Sequence, residues 1–489
     1  MTLTQNKYPN THSMRPTEVL GIKLYMGTTF AVILLMMFMG IAMRASQAGW
    51  LNVPADKFYQ LLTMHGAGMV GIAGLGGAGV MWAFLRRYVH LNAQFLHLNY
   101  AFFMTGVLLI LGAIFIGGYS GGWTFLWPLP AKSMGVWSAN AAAAFIAGLL
   151  FIGVGFLAFY FDAALAITRQ YGSILHGLGL NQLISGKINK DHPPTVVASS
   201  MVIIVNVVGI LVGAIVLAVT LANLYFPELT INPLLAKNMI YFFGHVFINA
   251  SIYMAVIAVY ELLPLYTGRP WKVSRVFYAA WACVTLFVMA VYPHHLLLDG
   301  VMPKSLLAMG QIVSYLSGIP VLLVTVYGAL MLVYKANVQW DAPARWLLLS
   351  MFGWAIGVIP AIVDGTIHAN KVMHNTTWVP GHFHLYLLVG LLPMLIGFSL
   401  YAFDIKRGLI NTWQNVIFWA FAMGGTLFCV TFLLGGWASV PRRWATHWTE
   451  WMAYDRAGTV FGALVITAML FITAFIIKQL FAGRYSDEK

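Results

Sequence analysis

The sequence predicts an all-α fold, a polytopic membrane protein of about twelve transmembrane helices, and three observations lead there. Hydrophobic residues make up 60% of the chain and Asp, Glu, Lys and Arg together only 8%, values outside the range of soluble globular domains. Mean hydropathy is +0.81. Apolar runs long enough to cross a bilayer, which takes about 20 residues, recur about twelve times along the 489 residues.

The runs fall near 18–43, 57–85, 96–118, 137–168, 195–224, 234–264, 274–299, 305–335, 344–369, 379–403, 412–436 and 456–483. Residues 1–17 are polar and the run after them is too long for the apolar core of a cleavable signal, so span 1 is expected to act as its own targeting segment. Span 2 carries His65 in LLTMHGAG, then GLGGAG at Gly74–Gly79. That hexapeptide formally matches the dinucleotide fingerprint, but no strand precedes it. Small residues in a membrane helix instead permit close helix packing, which would also suit a helix lying against a flat cofactor.

Between spans 4 and 5, Arg169 to Pro194 forms the longest inner connection, Gly-rich and bearing Lys187, Lys190 and Pro193. Span 6 contains FFGHVFINASIY, with His245 and Asn249 one turn apart. Span 7 ends in YPHHLLLDG, with His294 and His295; span 9 ends near Asp364 and His368. HNTTWVPGHFHL leads into span 10 with His374, His382 and His384, and SVPRRWA after span 11 carries Arg442 and Arg443. No polar segment is long enough to fold alone, so 1–489 reads as a single transmembrane catalytic domain. Cys283 and Cys429 both lie within spans and form no disulfide framework, CxxC metal site or CxxCH haem attachment.

The formal net charge of +13 is read through its distribution, and it points to no nucleic-acid partner. With both termini cytoplasmic, 18 of the 27 Lys and Arg fall inside, among them Arg86, Arg87, Arg269, Lys272, Arg275, Lys406 and Arg407. That excess favours the N-in, C-in topology.

With this topology six intramembrane histidines share one depth. His65 and His245 lie a few turns into spans that start outside, His294 and His295 precede an outer exit, and His382 and His384 open span 10 from the outside. At 1.5 Å per residue all six fall within roughly 7 to 16 Å of the outer surface. A buried histidine in a membrane span is a functional group by default, and six from four helices in one layer point to one site.

Spacing adds geometry. His382 and His384 point about 200° apart on a helix, so they serve two cofactors and not one metal. His294 and His295 can converge on one ion where the helix end is irregular, with His245 as third imidazole, which leaves His65 to pair with one histidine of span 10. A bis-imidazole iron is closed and suits electron transfer, whereas a haem with one imidazole keeps a face for a diatomic ligand. Three imidazoles suit copper, zinc or iron. The residues therefore predict two haems and a three-histidine metal, with a gas held between them.

In these motifs, taken in this order, the chain resembles subunit I of the haem-copper oxidase superfamily over nearly its whole length, and most resembles the B-type branch. The resemblance implies that His65 and His384 ligate a low-spin haem, His382 a high-spin haem, and His245, His294 and His295 the non-haem metal. It also implies that Arg442 and Arg443 bind haem propionates, a role suited to arginine forks, with His374 beside them. Asp364 and His368, near the same surface, could handle protons or water or simply end a helix.

Two departures stand against the resemblance. The tyrosine that oxygen reducers of the A and B types carry four residues after the span 6 histidine is Asn249 here, and the C-type alternative in span 7 is Val288; Tyr253 and Tyr292 remain as nearby substitutes. Along the inner proton route Tyr260 is kept, but the hydroxyl positions after Pro320 are Val321 and Val324. Glu261, about 24 Å along the helix from His245, is too far to be a ligand, so three histidines without a carboxylate favour copper over iron. The pattern resembles the divergent nitric oxide reductases related to B-type oxidases. The expectation is NO reduction to N2O, with O2 reduction by a cytochrome c oxidase as runner-up, in a bacterial or archaeal cytoplasmic membrane. A small second subunit with a cupredoxin-like or cytochrome c domain, fed by a periplasmic cytochrome c or cupredoxin, would deliver the electrons.

Overall fold

Where the sequence predicts twelve apolar spans, the computed structural model, which describes residues 13–403 and 412–482, has twelve helices long and apolar enough to cross a membrane among those residues. In order they are span 1 Pro16–Gln47, span 2 Ala55–Leu85, span 3 Ala93–Ile116, span 4 Ala139–Tyr171, span 5 Pro194–Tyr225 and span 6 Pro233–Thr267. Then follow span 7 Arg275–Leu296, span 8 Lys304–Val333, span 9 Ala342–Asp364, span 10 Trp378–Ala402, span 11 Thr412–Trp437 and span 12 Met452–Ala482. Lys406, Arg407 and the terminal residues used for the charge pattern lie outside the described residues.

Local sequence sets several starts. Asn92, Ser138, Asn232 and Ser274 each accept a backbone N–H of the first turn of spans 3, 4, 6 and 7, satisfying donors that a helix start leaves orphaned. Pro233 follows Asn232 at the first helical position, where its missing N–H costs nothing.

Burial singles out three helices. The apolar windows of spans 2, 6 and 10 are 83% buried, against 33–50% for the other nine, so these three form the centre and the rest face outward. Four of the six intramembrane histidines sit on spans 2, 6 and 10, and the other two, His294 and His295, end span 7, which packs on span 6. The GLGGAG stretch lies in the centre: a Cβ at Gly77 would stand 2.7 Å from the Ser251 carbonyl oxygen of span 6. Only glycine lets the two backbones approach so closely.

Regular helix breaks where the site is built. Span 7 ends in a five-residue 3-10 turn, Tyr292–Leu296, containing both adjacent histidines. Span 8 passes through a π-helical segment, Leu322–Val326, and span 10 through another, Leu385–Leu391, directly after His384. Span 9, expected to run to 369, stops at Asp364 because the chain turns at Gly365 and Thr366 into a short helix, Ile367–Met373.

Candidate metal and cofactor site

His245, His294 and His295 form a cluster whose ligand atoms could hold a metal ion. Three nitrogens face one another: His245 Nδ1 and His295 Nε2 at 3.1 Å, and His294 Nε2 and His295 Nε2 also at 3.1 Å. Metal–imidazole bonds of about 2.0–2.1 Å fit a triangle of that size. The irregular end expected for span 7 is the device that turns both neighbours inward. Gly310 of span 8 permits it, since a Cβ there would lie 3.0 Å from the His294 backbone nitrogen. One turn on, Ser314 Oγ donates to the Gly310 carbonyl oxygen at 2.8 Å and so is an acceptor for His294 Nδ1 at 2.7 Å. This fixes the tautomer with Nε2 free for the metal. Tyr241 stacks on His295 at 5.6 Å and 20°.

His65 and His384 face each other with ring centroids 6.2 Å apart and planes 17° from parallel. Two bonds of about 2 Å plus the ring radii bring opposed imidazoles on one iron to about this separation. Each donates Nδ1–H to a backbone carbonyl, His65 to Met36 and His384 to Pro380, both at 2.7 Å, leaving Nε2 as the ligating nitrogen. His384 also stacks on Phe432 at 5.3 Å. His382, two residues before, packs edge-on against Tyr386 at 5.1 Å, and its Nδ1 is buried without a hydrogen-bond partner. All six histidines line one continuous cavity, together with Arg442, Arg443, His374 and Asp364.

The arginine pair is set by backbone pairing across the cavity mouth. Thr377 N donates to Val440 O at 2.8 Å and Arg442 N to Asn375 O at 2.9 Å. Arg443 takes φ +66°, a left-handed conformation that a long side chain rarely adopts and that stores strain at functional sites. Arg442 Nε is buried without a partner, and a buried unpaired guanidinium nitrogen calls for an anion. Burial, then the Arg443 charge, pushes the Arg442 guanidinium down to about 10, so it stays cationic at neutral pH. Burial followed by Arg442 and Arg443 pushes His374 down to about 4. Carboxylates such as porphyrin propionates fit this cationic rim.

On the other side of His245, Asn249 Nδ2 lies 3.2 Å from Nε2 and donates to the His245 carbonyl oxygen at 2.8 Å. Neither tyrosine kept as a substitute reaches the three imidazoles. Tyr253 is packed between Trp281 and Trp354, and Tyr292 donates to Asn238 Oδ1 at 3.1 Å while its ring packs on Phe242.

The broken hydroxyl route needs correction. Tyr260 Oη lies 2.6 Å from Thr325 Oγ1. A regular helix would present Val324 there, but the π segment Leu322–Val326 inserts an extra residue in the turn and shifts the register by one. Val321 has no such replacement. Asp364 and His368 separate: the Asp364 carboxylate lines the cavity with both oxygens unpartnered, while His368 is exposed on the short helix. Glu261 accepts from Tyr88 at 2.9 Å and from Thr195, and pairs with Arg87 at 3.6 Å, clamping three helices far from the metal cluster.

Sequence reasoning missed Ser314, Tyr241, Thr325 and Phe432. Ser314 had a signal, a hydroxyl one turn after a glycine in an apolar span; the aromatic partners had none.

The family described as "Cytochrome C and Quinol oxidase polypeptide I" matches residues 21–475. The chain is 24% identical to cytochrome c oxidase subunit 1 of Corynebacterium glutamicum over 506 aligned residues, covering 96% of this chain and 80% of that protein. It is 23% identical to cytochrome c oxidase polypeptide 1 of Halobacterium salinarum over 50% of this chain, and 23% identical to heme-copper oxidase subunit I+III of Aeropyrum pernix over 90% of it. It spans only about half the length of those two, 41% and 54% respectively. In fold it matches a heme-copper terminal oxidase dimer solved by cryo-electron microscopy, with a TM-score of 0.79 at 19% identity, over 96% of this chain and 85% of that one.

Proposed function

The chain belongs to the cytochrome c and quinol oxidase polypeptide I family, making it a haem-copper oxidase catalytic subunit in a membrane, and from that premise we propose that it reduces NO to N2O. Two NO, two electrons and two protons give N2O and water. The observation that carries the reading is Asn249 at His245 Nε2, with no tyrosine hydroxyl in contact with the three imidazoles among the described residues. An oxygen reducer needs four electrons quickly, and a tyrosine there would contribute one with a proton; coupling two NO needs only two. In this reading the chain groups with the divergent reductases related to B-type oxidases.

The bound haems and non-haem metal supply the electron transfer and the redox chemistry at the gas. In this reading His65 and His384 hold the low-spin haem, His382 the high-spin haem, and His245, His294 and His295 copper, with iron less favoured. Arg442, Arg443 and His374 orient the propionates. Asn249 hydrogen-bonds a metal ligand or the bound nitrogen oxide. A small subunit with a cupredoxin-like or cytochrome c domain receives electrons from a periplasmic carrier, and residues 1–489 act as one catalytic domain with both termini cytoplasmic.

Reduction of O2 to water is the second reading. The relatives' names favour it, and so does the Tyr260–Thr325 contact, which keeps one hydroxyl link of an inner proton route. The two separate by gas consumption of the purified complex under one reductant. Faster NO than O2 consumption is expected; rapid O2 turnover with negligible NO turnover would overturn the first reading.

A further inference from the structure

A second cluster of charge lies buried beside the low-spin site, where no role has been assigned to it. Arg44 of span 1 and Asp455 of span 12 form an ion pair at 2.7 Å, with Asp455 fully buried and Arg44 4% exposed. His447, in the loop between spans 11 and 12 and 2% exposed, places Nδ1 2.7 Å from Asp455 Oδ2 and Nε2 3.1 Å from the Pro441 carbonyl oxygen. Both ring nitrogens therefore face acceptors. A neutral imidazole has one N–H and can serve only one of them. Both bonds form only when the His447–Asp455 pair holds a second proton, and a buried unmade bond is costly. With that proton the three groups sum to one positive charge; without it they are neutral.

The cluster is coupled to the haem-ligand side by contact. The Arg44 guanidinium lies 4.4 Å over the Phe432 ring, which stacks on His384, and Arg44 and Gln47 line the same cavity as His65 and His384. Gly458 makes room, since a Cβ there would lie 2.9 Å from an Arg44 guanidinium nitrogen. The other groups around the pair do not change charge with it: Gln47 accepts from Arg44 and donates to Trp444 O, Arg456 donates to Ala48 O, and Trp451 packs edge-on against His447. Arg442 and Arg443 adjoin Pro441, and Glu450 is exposed.

We propose that the His447–Asp455 pair is the proton site coupled to the low-spin haem. When an external donor passes one electron to the ferric low-spin iron, making it ferrous, the pair takes up one proton from the outer aqueous phase, and it releases that proton when the electron moves on. The inference rests on His65 and His384 being the low-spin ligands. It does not depend on whether NO or O2 is reduced.

Spectroelectrochemical titration of the low-spin haem in the whole complex tests it. The native midpoint potential should fall as pH rises, by an amount equivalent to roughly a tenfold change in the reduced-to-oxidised ratio, about 59 mV for one electron. His447→Gln, which keeps a donor but does not titrate, should flatten that dependence while the bis-imidazole spectrum persists. Asp455→Asn should do the same and serves if the first variant fails to assemble. A pH-independent native potential, or an unchanged slope in an assembled variant, overturns the proposal. Absence of a bis-imidazole spectrum in the native complex would instead overturn the ligand assignment beneath it.

Discussion

Asn249 Nδ2 stands 3.2 Å from His245 Nε2, behind the ring whose Nδ1 faces His295 at 3.1 Å. The same Nδ2 donates to the His245 carbonyl oxygen at 2.8 Å, so the carboxamide is fixed against both the backbone and the ring of this candidate ligand. Asn249→Leu keeps the volume and removes both contacts. Metal content should survive while gas turnover falls roughly 10- to 100-fold, the usual cost of losing a ligand's outer partner. Metal analysis alongside gas consumption checks it, and unaltered turnover would make Asn249 a packing residue.

Ser314 plays the corresponding part for His294, accepting at 2.7 Å from Nδ1. Ser314→Ala leaves that N–H buried without a partner and frees the ring to rotate. The expected result is roughly 10- to 100-fold weaker non-haem metal retention, read as metal content after graded chelator exposure. The low-spin spectrum should stay unchanged, because His65 and His384 are oriented by Met36 and Pro380 instead.

These two residues also mark how far the sequence could be read. His245 and Asn249 were legible together because four residues make one helical turn, and the six histidines because topology put them at one depth. The carbonyls that orient His65 and His384 were not, since any residue offers one and only tertiary packing selects Met36 and Pro380. Local departures from regular helix caused the misreadings. The π segment in span 8 exchanged Val324 for Thr325, and the turn at Gly365 sent His368 to the surface while Asp364 stayed in the cavity. His447 and Asp455 had no sequence signal, because what makes them notable is a partner on span 1.

The Tyr260–Thr325 contact at 2.6 Å predicts a proton-delivery effect. Thr325→Val removes one hydroxyl at nearly constant volume, and turnover should drop by roughly tenfold or more if that link carries protons. Val324→Thr should not compensate, since the π register turns position 324 away from Tyr260. Stopped-flow proton uptake on the two variants separates a proton link from a structural hydrogen bond, which would leave uptake at the native rate.

His374 supplies a pH prediction with a definite sign. Burial and the charges of Arg442 and Arg443 push it from its ordinary 6.5 down to about 4. Between those values the unfolded chain binds more protons at this site than the folded one, so stability rises with pH across the window. The contribution is fully present above about 6.5 and is lost as pH falls toward about 4. Thermal unfolding of the detergent-solubilised protein should therefore decline more steeply with acid in the native chain than in His374→Gln, and with equal slope above that window. Bound propionates would partly neutralise the two arginines, raise the His374 titration and narrow the window, so the contrast should be larger in preparations depleted of haem than in loaded ones. Equal acid slopes in native and variant chains would mean that His374 is protonated in the folded state despite the two arginines.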